Sequence, residues 1–247
     1  MSDAVALLRA DPARTALLLD FDGTLAPIVD DPAAARPLPG AAAVLADLSD
    51  RYGVVAVVSG RPVAFLTAHL PPGLVLSGLY GMELRRGVEV ESLGGAAWRP
   101  VVAEVAADAR ASGPAGALVE PKDLSLTLHY RTRPELEPAV LAWARAAAQR
   151  SGLELRRARM SVELHPPGAL DKGTAVAGLL DGMAVACFVG DDVGDLRAFD
   201  ALDRFAATGG RSVRVVVRSP ETAPALRARA DLLVDGPEGV LGLLSSL

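Results

Sequence analysis

The stretch Leu17-Leu18-Leu19-Asp20-Phe21-Asp22-Gly23-Thr24-Leu25 decides how the rest of the chain is read. A short apolar run bounded by turn residues is the pattern of a strand buried on both faces. Two carboxylates follow at i and i+2, then a glycine able to turn the chain. In an extended strand, i and i+2 point to the same side, so Asp20 and Asp22 are expected to leave the strand end together. Carboxylates placed so close repel unless a cation or a proton resolves the conflict. The pattern suits a hard metal and an acid/base pair.

Working outward, strand and helix alternate. A strand at 15–21 leads to a helix from 39 to 51. A second apolar run, Val54-Val55-Ala56-Val57-Val58, ends in Ser59-Gly60-Arg61-Pro62 and a short helix reaching His69. A third run, Leu74-Val75-Leu76, ends in Ser77-Gly78-Leu79-Tyr80-Gly81. This alternation predicts a parallel sheet with helices on both faces.

The middle has another rhythm. Residues 83–93 alternate around Arg86-Gly87 as a hairpin does. Helices are expected over 99–112 and 134–150. Strand-like stretches cover 117–131, with a turn near Pro121-Lys122-Asp123, and 153–164. From Asp171 the first rhythm returns. A helix covers 172–180, and a strand over 184–189 ends in Gly190-Asp191-Asp192. A further helix runs to about Leu202. Strands at 213–217 and 232–234 flank a helix from Glu221, and a last helix follows Pro237. The reading is a Rossmann-like, doubly wound parallel α/β core formed by 1–82 and 170–247, with an α+β cap inserted at 83–169.

Composition narrows the function. The 247 residues are 51% hydrophobic with a net charge of −5. That balance disfavours nucleic acid and anionic membranes as partners, but leaves room for a small anion in a local basic pocket. No apolar stretch reaches transmembrane length, and residues 1–14 lack the layout of a signal peptide. A cytoplasmic protein is expected. The one cysteine, Cys187, cannot form an intrachain disulfide and reads as a small core residue. His69, His129 and His165 are too scattered for a zinc site, and Trp98 and Trp143 read as packing residues.

In open α/β sheets, ligands bind beyond the carboxyl ends of the strands. Asp20/Asp22, Ser59 and Asp191/Asp192/Asp195 all fall at such ends, and Lys172 opens a helix. Asp20 is the expected nucleophile toward phosphorus. Asp22 would protonate the leaving oxygen and then activate water. Magnesium prefers carboxylate, water and phosphate oxygens. Asp20, Asp191 and the main-chain carbonyl of Asp22 are its candidate ligands. Asp195, with Asp192, would hold the metal's waters, although Asp192 reads equally as a helix cap. Ser59, Gly60 and Lys172 form the expected phosphate site, and Arg61 is assigned to substrate binding. Asp30 and Asp31 before Pro32 read as a turn.

These motifs, Asp20-Phe21-Asp22-Gly23-Thr24, Ser59-Gly60-Arg61, Lys172 and Gly190-Asp191-Asp192 with Asp195, resemble in order those of the haloacid dehalogenase superfamily of phosphatases. Within it the chain resembles trehalose-6-phosphate phosphatases. The closer likeness lies in Asp22–Val29, Val58–Pro62, Val119-Glu120-Pro121-Lys122, Leu128-His129-Tyr130-Arg131, Val162-Glu163-Leu164 and Asp171–Ala175. The resemblance implies that Glu120, Lys122, Arg131 and Glu163 of the cap grip sugar hydroxyls. Charged side chains form the stronger hydrogen bonds to such groups. It also implies Mg2+, an aspartyl-phosphate intermediate, trehalose 6-phosphate as substrate and a monomer, with a synthase partner left open. Three positions depart from the family pattern: Tyr80, His165 and Gly194. They bear on which sugar is selected. The alternatives are a phosphatase of another sugar phosphate, of the sucrose-phosphate or mannosylphosphoglycerate type, and a silent domain that binds sugar phosphate or a partner.

Overall fold

The computed structural model describes residues 3–93, 95–158, 160–168, 170–220 and 222–247. The strands in chain order are β1 (Thr15–Leu19), β2 (Val54–Val58), β3 (Val75–Gly78), β4 (Glu83–Arg86), β5 (Glu89–Ser92), β6 (Leu118–Pro121), β7 (Leu126–His129), β8 (Glu154–Ala158), β9 (Ser161–His165), β10 (Val185–Gly190), β11 (Arg211–Arg218) and β12 (Leu232–Asp235). The helices are α1 (Asp3–Ala10), α2 (Ala41–Arg51), α3 (Val63–His69), α4 (Arg99–Ser112), α5 (Glu137–Ser151), α6 (Lys172–Ala177), α7 (Leu196–Ala207), α8 (Pro224–Arg227) and α9 (Gly236–Ser245). The chain divides into two compact units, Met1–Glu91 with Leu170–Leu247, and Ser92–Ala169.

The first unit is built on an eight-stranded sheet of order β12-β11-β10-β1-β2-β3-β4-β5. From β12 to β3 every neighbour is parallel; β4 returns antiparallel. Every residue of β1 is buried, which is why it reads as an unbroken apolar run. Its alternate side chains serve two cores. Leu17 and Leu19 pack with Leu8, Leu45, Leu66 and Val240, from α1, α2, α3 and α9. Ala16 and Leu18 pack with Val176, Phe199 and Leu226, from α6, α7 and α8. Truncating a fully buried leucine such as Leu18 is expected to cost about 2–5 kcal/mol.

The structure moves three of the expected boundaries. The hairpin at 83–92 extends the core sheet through the pairing of Ser77 with Leu84, instead of joining the insert. The helix expected over 172–180 stops at Ala177. The helix expected from Glu221 is the short α8; Glu221 itself lies outside the described residues.

The second unit is an antiparallel sheet of order β6-β7-β9-β8. The stretch 153–164 is two strands, β8 and β9, with Met160 in the left-handed region between them (φ 53°). Leu126, Leu128, Val162 and Leu164 form an apolar face against Val105, Ala109, Val140 and Ala144 of α4 and α5. Among the described residues no helix is long and apolar enough to cross a membrane.

Candidate active site

Parallel pairing in register brings three strand ends level. Leu19 lies beside Val189 on one side and Val57 on the other. The next residues are therefore neighbours in space. Asp20 follows β1 and its N–H donates to the Val189 carbonyl (2.9 Å). Ser59 follows β2, and Asp191 follows β10. Lys172 opens α6, whose start is fixed by a capping box between Asp171 and Thr174.

The Lys172 ammonium lies 2.8 Å from Asp20 Oδ2 and donates to Asp195 Oδ1 at 2.6 Å. Asp195 Oδ2 accepts from the main-chain N–H groups of Asp191 (2.9 Å) and Asp192 (3.0 Å). Both oxygens of Asp195 are thus engaged. It ties the lysine to the turn that carries Asp191. Asp192 is the cap of that turn, accepting from the Gly194 N–H at 2.9 Å. Asp20 Oδ1 takes the N–H of Phe21 (2.7 Å). All four groups of the cluster, Asp20, Lys172, Asp191 and Asp195, are buried. The packing leaves no room at Gly23 (φ +76°), where a Cβ would overlap the Asp191 carboxylate.

Asp20, Asp191 and Asp195 each place a carboxylate oxygen within 4.8 Å of the others. Burial pushes the Asp20 carboxyl well above the usual carboxylate range. Lys172 draws it back down, and Asp195 and Asp191 push it up again. Burial opposes the charge on Lys172, but Asp195 and Asp20 outweigh it and hold the ammonium well above its ordinary pKa. Three buried carboxylates against one ammonium make a site short of positive charge. Oxygen donors with that deficit fit a divalent cation.

The turn that carries Asp22 is set by the N–H groups of Thr24, Leu25 and Ala26, which converge on the Phe21 carbonyl. The Asp22 carboxylate meets Arg61, which donates from Nε (2.8 Å) and Nη2 (2.7 Å). Arg61 also donates to the Pro32 carbonyl (2.8 Å) and lies over the Phe65 ring. Arg61, assigned from sequence to substrate binding, here orients the second aspartate. Ser59 Oγ accepts from the Arg61 N–H (3.1 Å), and the Tyr80 ring covers Gly60. Leu79 and Tyr80 are both left-handed (φ 49° and 57°), a strained pair beside this loop.

In the second unit, Glu120 lies on β6 with Lys122 just past its end, and Glu163 lies on β9, with β7 between the two strands. Glu120 Oε2 lies 2.8 Å from His129 Nε2 and 3.5 Å from Lys122 Nζ. Ser125 donates to Glu163 Oε1 at 2.6 Å. Arg131 lies beyond the end of β7, in the turn that follows Tyr130. Sequence reasoning missed Ser125, Thr127, His129 and Arg156 as members of this polar face. The alternation Leu126-Thr127-Leu128-His129 was the available signal.

The fold is that of the haloacid dehalogenase-like hydrolases. A protein of that description from Bacteroides thetaiotaomicron superposes with a TM-score of 0.62 at 16% identity, over 94% of this chain and 98% of its own. Within that class the chain belongs to the trehalose-phosphatase family, whose profile matches residues 18–233. A trehalose-phosphate phosphatase of Mycobacterium ulcerans is 36% identical over 222 residues, covering 84% of this chain and 55% of the relative. The chain thus spans about half the length of the curated relatives it matches. The C-terminal domain of a Candida albicans trehalose-6-phosphate phosphatase gives a TM-score of 0.79 at 22% identity, over 98% of this chain and 96% of that domain.

Proposed function

We propose that the protein hydrolyses trehalose 6-phosphate to trehalose and phosphate through an aspartyl-phosphate on Asp20. One observation carries the chemistry: the buried Lys172 ammonium bridging Asp20 and Asp195, beside Asp191, at the ends of three parallel strands. Membership of the trehalose-phosphatase family carries the substrate.

Asp20 attacks phosphorus, and the bond from phosphorus to the sugar 6-oxygen breaks as Asp22 delivers a proton to that oxygen. Asp22 then takes a proton from water, whose oxygen attacks the same phosphorus. The bond to Asp20 breaks, releasing phosphate and restoring the carboxylate. Lys172 offsets charge on the phosphoryl oxygens, while Ser59 and Gly60 position them. Asp20, Asp191 and the main-chain carbonyl of Asp22 would hold Mg2+, which supplies further positive charge to the phosphoryl group. Asp195 and Asp192 act behind these residues. Glu120, Lys122, Arg131 and Glu163 hold the sugar. The insert at 83–169, trimmed to 92–169 by the placement of the hairpin, is the specificity unit. We place the enzyme in the cytoplasm, acting as a monomer.

The test is phosphate release, with and without Mg2+, from trehalose 6-phosphate, sucrose 6-phosphate, glucose 6-phosphate and p-nitrophenyl phosphate. Preference for trehalose 6-phosphate, lost in Asp20→Asn, supports the reading. Preference for another sugar keeps the chemistry and discards the substrate. A folded wild type inert toward all four rejects the reading.

A further inference from the structure

One row of residues crosses all four strands of the smaller sheet. Glu120 lies opposite Thr127, Thr127 opposite Glu163, and Glu163 opposite Arg156. Cross-strand partners project to the same side of a sheet. The neighbouring positions Leu126, Leu128, Val162 and Leu164 fill the apolar core on the other side. The row therefore lies on the polar face, with the carboxylates of Glu120 and Glu163 flanking Thr127.

At the adjacent positions Thr127 and Glu163, the atoms Thr127 Oγ1 and Glu163 Oε2 lack hydrogen-bond partners. Both residues are almost fully buried, at 3% and 1% exposure. Ser125 satisfies Glu163 Oε1. Glu163 Oε2 has Arg156 Nη1 at 3.8 Å, close enough for attraction but too far for a hydrogen bond. Buried polar atoms left unpaired destabilise a fold. Valine would fill the place of Thr127 with the same shape, a better strand propensity and no such penalty. The row instead keeps two unmade bonds in adjacent positions. A hydroxyl can donate to one atom while accepting from the other. A carboxylate oxygen needs a donor, and a threonine hydroxyl can donate or accept. One alcohol group answers both.

We propose that the Thr127 hydroxyl is a further contact to a sugar hydroxyl, and that Arg156 is the positioning residue that holds Glu163 beside it. This rests on the sugar-phosphate reading above and deepens it by adding two specificity-determining residues. Arg156 acts through Glu163; its guanidinium limits rotation of the carboxylate while leaving the last acceptor position for the ligand.

The test compares a sugar ester with a sugar-free ester. Thr127→Val is expected to raise the KM for trehalose 6-phosphate about 3- to 10-fold, the worth of one neutral hydrogen bond. Its kcat and its kinetics on p-nitrophenyl phosphate stay unchanged, and its melting temperature rises. Arg156→Met is expected to raise the same KM without affecting the aryl ester, and Arg156→Lys to recover part of the loss. A Thr127→Val protein with a raised melting temperature and an unchanged KM overturns the contact. An Arg156→Met protein impaired equally on both esters assigns that residue to the fold and overturns its positioning role. Should the wild type prefer another sugar phosphate, only the substrate assignment fails, and the same two variants are judged on that ester. A wild type that hydrolyses no sugar phosphate overturns both.

Discussion

Arg61 holds both carboxylate oxygens of Asp22, Nε on one and Nη2 on the other, at 2.8 and 2.7 Å. A planar fork on a carboxylate fixes the direction of the group as well as its position. The proposed proton donor is thus aimed by a residue that its own turn does not contain. Removing the fork should matter most where the leaving group needs a proton. Arg61→Met is expected to lower kcat on trehalose 6-phosphate by about 10- to 100-fold, within the range of general acid catalysis. The loss on p-nitrophenyl phosphate, whose leaving group departs unprotonated, should be several-fold smaller. Arg61→Lys, a point charge without the fork, should rescue little. Steady-state kinetics on both esters checks this, and equal losses would count against an orienting role.

Asp22→Asn separates the two half-reactions. With p-nitrophenyl phosphate the first transfer needs no acid, while the second needs a base to activate water. A burst of nitrophenol close to one equivalent of enzyme is expected, followed by slow turnover. Rapid-mix absorbance at the nitrophenolate band reads it directly. Linear release from time zero at wild-type rate would contradict the assigned base.

Asp195 is fully buried and accepts from Lys172 and from two main-chain N–H groups. Asp195→Ala leaves two amides without this acceptor and removes one of the two carboxylates at the Lys172 ammonium, Asp20 being the other. A loss of about 3–5 kcal/mol in unfolding free energy is expected, as when one member of a buried pair is deleted. Urea denaturation in metal-free buffer measures it. Activity should fall as well, because Lys172 and the Asp191 turn lose their common anchor.

His165 lies buried on β9, paired with Glu154 and near Arg156 and Glu163. Burial, and then the Arg156 charge, holds its pKa below the ordinary 6.5. The folded protein therefore binds this proton less readily than the unfolded chain. The stabilising contribution is complete above pH 6.5 and is lost as the pH falls from there through the lowered folded-state value. His165→Gln should flatten that part of the pH dependence. Urea midpoints for both proteins between pH 8 and pH 5 provide the measurement; parallel slopes would show that other groups dominate.

The residues of the proposed site stand out in the sequence for a physical reason. Strands buried on both faces must be apolar throughout, so the first polar side chains after them mark the strand ends. Asp20, Ser59 and Asp191 stand in those positions. The partner of Asp22 was hidden, because Arg61 lies 39 residues further along and comes beside it only once β1 and β2 pair. The hairpin at 83–92 was recognisable as a hairpin. Which sheet it joined depended on pairing with β3, which alternation does not encode. Thr127 and Arg156 escaped notice because their row exists only once four strands are in register.

The order in which these parts can form during synthesis follows from the interruption of the core. Leu19 pairs with Val189, so the central seam of the large sheet closes only after the whole insert has been made. The insert has its own apolar core and joins its strands through antiparallel neighbours close in sequence, β6 with β7 and β8 with β9. Local contacts form faster than distant ones, and domains tend to fold as they emerge from the ribosome. The nascent chain therefore carries Asp20 unpaired through most of translation. Slow codons or truncations between residues 170 and 190 should prolong a species with a folded insert and an open, aggregation-prone β1–β3 edge.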